Sequence, residues 1–288
     1  MASLNLRQGL LGKRLAAHLL RRASYNFTPA RIAEFASKTA GQAVDELFNI
    51  PPLVHPEGPI NYVDGVHPWL TVDPYANNPD NGTRQIRAVQ LWIFNELMHD
   101  NSIRHKLSMF LHSIFITGSD TDWRYFDHWR LILMYSTGNI KEFSYKVTLD
   151  NKMLRYLDNY VNYRNSPNEN YAREFMELFT ILKGEQIQTG NYTNYSEHDI
   201  TMSARVLSGF RQSVFDNKDP ETGLATGYAS HWYHNIANKT FDSTFQHQSI
   251  TGAVDANDMY RELHDYMDLI FNQIETAKAF CRRLYRFF

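Results

Sequence analysis

The chain has 288 residues, enough for one large or two modest domains with a substantial core. Its 29 Lys plus Arg stand against 31 Asp plus Glu, so it shows no electrostatic footprint for nucleic acid or an anionic membrane surface. Cys281 is the only cysteine, which excludes an intramolecular disulfide framework and a cysteine zinc cluster.

Near the N-terminus, Lys13, Arg14 and His18 interrupt the apolar run from Leu10 to Leu20, so no signal-peptide core is read there. Leu11, Leu15 and Leu19 instead form the stripe of a docking helix. No 18-residue apolar span occurs, and the chain reads as soluble and cytoplasmic, with no transmembrane segment. Thr28 before Pro29 opens a helix toward Ser37, and a second helix runs through Phe48. Residues 51–82 hold seven of the ten prolines and are read as a long irregular loop. Its Tyr62, His67, Trp69 and Tyr75 offer flat surfaces on which a sugar or another ring could stack, as in a lid. Ser102 is read as the cap of an apolar helix containing Leu107, Phe110, Leu111, Ile114 and Phe115, which Gly118 ends. Further helices are expected from about Asp122 to Tyr135 and from near Lys141. Ser196 with Asp199 forms a capping box that opens a helix closing at Gly209. Residues 211–254 mix turn residues with short aromatic and Thr stretches, the pattern of one small β-hairpin. The last helix begins at about Glu275 and runs into Phe287 and Phe288. Aromatic side chains with no polar cap after them suggest packing against a further C-terminal region, as in a piece of a longer protein. Together these signals predict an all-α, multi-helix globular bundle, a single helical domain over residues 1–288.

The densest concentration of charge and aromatic bulk lies at Asn168–Thr180. Ser166 is expected to cap this helix, with Pro167 at its first position and Glu169 closing a capping box. At 100° per residue, Asn170, Arg173, Glu174 and Glu177 share an arc of about 100°, while Tyr171, Phe175, Met176, Leu178 and Phe179 cover the far side. Glu174 and Glu177 sit one turn apart, about 5 to 6 Å at Cβ, where two ionised carboxylates repel unless a cation or proton intervenes. On a buried face, one of them keeps a raised pKa and serves as an acid or base, or the pair holds a divalent cation. On an exposed or salt-bridged face, with Arg173 four residues before Glu177, the segment is an ordinary amphipathic helix.

Several stretches resemble one known family across essentially the full chain. They are Ala16-Ala17-His18-Leu19-Leu20-Arg21-Arg22-Ala23, the Asn168–Thr180 segment, Ala204-Arg205-Val206-Leu207-Ser208-Gly209-Phe210, Lys239-Thr240-Phe241 and Arg283-Leu284-Tyr285-Arg286-Phe287-Phe288. Together they are similar to the bacterial family catalogued as domain of unknown function 1800, whose activity is unknown. The resemblance implies that His112, Arg173, Glu174, Glu177, Asp199, Arg205, His234 and Lys239 match the family's polar pattern. It also implies a chain continuing past the terminal Arg-Phe-Phe, and an exported location in many members. This chain departs from the pattern at Ile114, where a second histidine is often found, and at Asp242-Ser243. Residues 183–195 look like an inserted loop. A metal site needing both histidines would be incomplete here.

Two functional readings follow. In one, Glu174, Glu177 and His112 carry hydrolysis, while Arg173, Asn170, His234, Lys239 and Trp69 bind substrate, with a divalent cation as an option and no metal identity implied. A polar polymer such as a glycan would suit a chain with 14% aromatic residues. In the other, the helices form a non-catalytic scaffold or partner-binding protein with an internal salt-bridge network. His112 lies among Leu111, Ile114 and Phe115 and also fits a hydrogen-bonded core residue. Asp199 already serves its capping box. His231 and His234 would share a face only on a helix. No phosphate-binding glycine loop, Gly-x-Ser-x-Gly elbow or His-Glu-x-x-His helix is present.

Overall fold

The Thr28 hydroxyl accepts the Arg31 N–H and Pro29 fixes the first turn behind it, so helix α2 (Pro29–Ala36) starts where its sequence dictates. Thr39 and Gln42 form a reciprocal capping box that opens α3 (Ala40–Phe48). Both pack with α1 (Gly12–Ala23) around an apolar cluster of Leu11, Ala16, Leu20, Phe35, Ala43 and Leu47, joined by Ile103. The buried Arg31 guanidinium ties this cluster together by donating to Ser24 Oγ, Asn26 O and Asn101 O. These features belong to a computed structural model that describes residues 7–53, 81–118, 124–213 and 217–288.

Helix α4 (Asn81–His99) begins inside the stretch expected to be loop, so Asn81 and Gly82 are helical. Tyr62, His67, Trp69 and Tyr75 lie outside the described residues. Ser102 Oγ accepts the Arg104 N–H at the start of α5 (Arg104–Ile114). That helix stops at Ile114, short of Gly118, because the Phe115 backbone already leaves helical geometry. Then come α6 (Arg124–Tyr135), α7 (Ile140–Leu149) and α8 (Asn151–Tyr156), the last two capped by Asn139 and Asp150.

After α9 (Asn170–Glu174) the chain forms a short hairpin of β1 (Gln186–Gln188) and β2 (Asn191–Tyr192), and then α10 (Glu197–Val206). Two more antiparallel pairs follow: β3 (Phe210–Arg211) with β4 (Tyr228–Ala229), and β5 (Lys239–Thr240) with β6 (Ser249–Ile250). Helices α11 (Ala256–Phe271) and α12 (Ile274–Phe287) complete the chain. The mainly-α expectation therefore holds, with three two-stranded sheets among the described residues instead of one hairpin.

A second, larger cluster fills the space between α5 to α11. Phe115 contacts Phe143 and Phe179, and Phe175 contacts Tyr266, all fully buried or nearly so. Helix α10 runs through this core and is anchored by the buried Asp199. Its carboxylate accepts from Ser196 N (2.8 Å), Ser196 Oγ (3.0 Å), Asp242 N (2.7 Å) and Thr244 Oγ1 (3.3 Å). One side chain thus caps a helix and fastens the segment after β5. Asp199→Ala orphans several buried donors at once, and chemical denaturation should show a loss of about 3 kcal/mol. Ser196→Ala, which removes one cap acceptor, should cost about 1 kcal/mol.

Candidate functional site

The 168–180 segment does not begin at Ser166. Residues Tyr163–Ser166 close a tight turn, with Ser166 N donating to Tyr163 O at 3.0 Å. Asn162 Oδ1 then takes the Asn168 N–H at 3.0 Å, which holds the chain outside helical geometry. The helix starts at Asn170, whose N–H is accepted by Asn168 Oδ1 at 2.9 Å. Glu169 makes no cap bond, and its carboxylate accepts from Thr201 Oγ1 (2.8 Å) and Arg173 Nη2 (3.3 Å) instead.

From Phe175 to Phe179 the backbone widens into a π-helical turn. Thr180 Oγ1 donates to Phe175 O at 2.6 Å and Leu182 N donates to Met176 O at 2.8 Å, so the carbonyls that the wider turn releases are taken up locally. Tyr171, Phe175, Met176 and Phe179 are buried, as their spacing suggests. Leu178 is not: it is 52% exposed, because the wide turn advances less per residue than 100° and carries it out of the apolar face.

The carboxylates meet very different surroundings. Arg173 makes a two-pronged pair with Glu197, Nη1 to Oε1 and Nη2 to Oε2 both at 2.8 Å, and its Nη1 lies 3.8 Å from Glu177 Oε1. Lys183 Nζ sits 2.9 Å from Glu177 Oε2. With a side chain only 13% exposed, Glu177 is held between two cations. Those contacts raise the pKa values of Arg173 and Lys183, chiefly through Glu197 and Glu177 respectively. Half-buried Glu174 has no hydrogen bond or ion pair among the described residues. Its pKa is raised above the usual carboxylate range, first by burial and then by the charge of Glu177, while Lys183 and Arg173 pull the other way.

The remaining candidates lie elsewhere. Asn170 spends its side chain on Leu157 O (3.2 Å). His112 packs against Trp129, Tyr125 and His128 of α6, with ring centroids 5.6, 6.3 and 6.4 Å away. Burial, with His128 beside it, pushes its pKa down to about 4, and its Nε2 has no partner among the described residues. Its neighbour His128 is itself fully buried between Asp150 (2.9 Å) and Phe115 O (3.2 Å). His112 has no hydrogen bond or ion pair to Glu174 or Glu177 among the described residues. Trp69 is outside the described residues.

His234 and Lys239 do meet, but in a sealed knot with Glu262 of α11, all three fully buried. Lys239 Nζ lies 2.5 Å from Glu262 Oε1, and His234 Nε2 lies 3.0 Å from Oε2, which also accepts the Ala253 N–H at 2.7 Å. His234 Nδ1 faces the Ser208 carbonyl at 2.8 Å, and Lys239 also donates to Asn235 O. Burial lowers the lysine's pKa and Glu262 opposes that. Beside the knot, Gly209 at φ +81° brings backbone so close that a Cβ there would fall 2.9 Å from His234 atoms.

Sequence reasoning missed Glu262, Glu197 and Lys183. The detectable signal for Glu262 was an acid on the apolar stripe of α11, between Met259 and Tyr266. It also missed a cleft of about 640 Å³ beside α3 to α5, lined by Glu46, Trp92, Glu96, Arg104 and the hydrogen-bonded pair Asp100–His105 (2.7 Å). Among the described residues no group of three or more His, Cys, Asp or Glu is placed to hold a metal ion. No helix among them is long and apolar enough to cross a membrane.

A family described as "Protein of unknown function (DUF1800)" matches residues 18–288. No curated protein and no solved structure matches the chain.

Two measurements test these environments. In carboxyl-detected NMR titrations, Glu177→Gln should lower the pKa of Glu174 by removing the neighbouring negative charge, and Lys183→Met should raise it. In denaturant unfolding, Lys239→Met should cost about 3–5 kcal/mol by stranding the Glu262 charge, and the double change Lys239→Met with Glu262→Met should recover much of that loss.

Proposed function

The chain belongs to the family described as protein of unknown function (DUF1800), and we propose that it carries an acid–base centre in which Glu174 is the working carboxyl and Glu177 its fixed partner. The observation that carries this reading is the contrast between the two groups. Glu177 is neutralised by Arg173 and Lys183, whereas Glu174, one turn before it, is unpaired and has a raised pKa. Two neighbouring carboxyls whose environments push them apart can divide the tasks of proton donor and charged stabiliser. Their place at an α-to-π transition adds support, since such wide turns recur at functional sites.

The reaction class that suits a carboxyl whose pKa is raised is hydrolysis with general acid assistance. Glu174 would pass its proton to the departing oxygen as that bond breaks, while a water molecule bonds to the substrate carbon left behind and the proton it sheds returns to the Glu174 carboxylate. The resulting carboxylate would be stabilised by the nearby positive charges of Lys183 and Arg173, which already favour its ionised form. The β1–β2 hairpin stands beside the pair through Lys183, which contacts Glu177 and lies 5.2 Å from the Tyr192 ring. Exposed Gln186 and Gln188, half-buried Asn191 and the Tyr192 ring provide amides and a flat face, the groups that recognise a polar polymer such as a glycan.

One observation favours a second reading. The chain of pairs from Glu169 through Arg173 to Glu197 and Glu177 binds α9 to α10, which is how a non-catalytic scaffold would use the same charges. A screen of polymeric glycans with wild type against Glu174→Gln separates the two. The acid–base reading expects glycan hydrolysis that falls about 10²- to 10⁴-fold in the variant, with a fall in wild-type rate as pH rises through the pKa of Glu174. A raised carboxyl pKa gives stability that is present at low pH and lost as pH rises through it, so Glu174→Gln should gain stability relative to wild type at pH 8 and not at pH 4. Equal activity in both proteins, or none in wild type, leaves the scaffold.

A further inference from the structure

Where α5, the π-helical turn and α12 come together, the surface opens into a groove of about 430 Å³. Its apolar lining includes Ile114, Ile116, Leu178 and Phe287, and Phe110 supports it from behind with its ring 5.5 Å from that of Phe287. Ile116 is 50% exposed and Leu178 about the same, an unusual outlay of aliphatic surface within one concavity. Leu178 is there because the wide turn rotates it outward.

The polar content of the groove is one-sided. Arg283 and Arg286 line it and share a face of α12 with Phe287. Neither arginine has a hydrogen bond or ion pair among the described residues. Arg283 is partly buried, its Nη1 is enclosed without a partner, and burial alone lowers its pKa, with no acidic group opposing that. Other deeply set arginines among the described residues have compensation: Arg31 has three acceptors, Arg104 has the Pro51 carbonyl and Asp100, and Arg130 has Asp127 at 3.6 Å. A partly desolvated guanidinium without a counter-charge is costly, and an oxyanion supplied from outside would remove that cost.

We propose that this groove binds a small anionic amphiphile, an apolar chain ending in a carboxylate, with the chain laid on Ile114, Ile116, Leu178 and Phe287 and the head on Arg283 and Arg286. The size of the concavity favours such a ligand over a protein segment. It falls in the range of small-molecule sites, whereas a stable protein contact covers roughly 800 Å² per partner. The groove includes neither Glu174 nor Glu177, and its occupancy can be read without any turnover.

Isothermal titration of the 288-residue chain with sodium dodecanoate and with dodecyltrimethylammonium, both below micelle formation, tests this. Wild type should bind one dodecanoate at least about ten-fold more tightly than the cationic probe. R283M/R286M should lose that preference, while Leu178→Asn should weaken both probes. Unchanged melting temperatures would show that both variants fold. As a further check, R286M alone, at an exposed position, should lose part of the preference. Absence of saturable dodecanoate binding, equal affinity for the two heads, or an unaffected R283M/R286M would overturn the proposal. Saturable binding only of an acidic, leucine-rich helical peptide would also overturn it and assign the groove to a protein partner.

Discussion

A lysine and a glutamate with no access to water sit at the centre of the C-terminal half, and much of the surrounding chain is arranged to keep them satisfied. Lys239 of β5 and Glu262 of α11 are held face to face, and the ring of His234 takes the second carboxylate oxygen. Removing two charges from water is expensive, and only close geometry with every remaining lone pair occupied offsets it. That requirement explains neighbouring details that otherwise look unrelated. The Ala253 N–H must reach Glu262, the Ser208 carbonyl must face His234, and Gly209 must lack a side chain because a Cβ there would fall 2.9 Å from His234 and from the Ser230 carbonyl. Three short β-pairs in a helical protein are less surprising in this light, since β5 delivers the lysine.

The same logic organises the polar face of the 170–180 segment on a smaller scale. There the charges are partly solvated, so single ion pairs contribute little to stability. Their effect is to give two neighbouring carboxyls unlike characters. Arg173 is turned toward Glu197 by a two-pronged contact, and Lys183 arrives from the base of the hairpin. Lys183 thus pairs directly with Glu177 and Arg173 reaches it at 3.8 Å, while Glu174 has no cation of its own among the described residues.

Local chemistry was legible in the sequence wherever it is local in the chain. Thr28, and Ser196 with Asp199, act as caps through bonds that span three residues or fewer. Helix α4 was hidden by the asparagines and proline ahead of it and by Leu91, Phe94 and Met98, which stay exposed and blur its periodicity. Ser166 looked like a cap because Pro167 and Glu169 follow at the right spacing. What overruled it was Asn162, a buried side chain that makes its contacts through the fold. Of the polar positions singled out, Glu174, Glu177 and Arg173 are neighbours, as helical spacing requires. His112, His234 and Lys239 were placed by tertiary packing, which no periodicity encodes. Glu262 stands on the apolar stripe of α11, but its partners Lys239 and His234 are set by tertiary packing.

The wide turn at Phe175–Phe179 carries one residue more than an α-helical turn would need over the same rise. Length is therefore information in this stretch, alongside composition. Deleting a single residue between Phe175 and Phe179 would let the segment tighten into an α-helical turn over the same rise, so the chain after it would keep its place while the residues inside the turn change face. Leucine would swing toward the interior, and the approach of Lys183 to its acid would be lost. A shortened relative of this chain could keep every recognisable letter of the motif and still assemble a different surface.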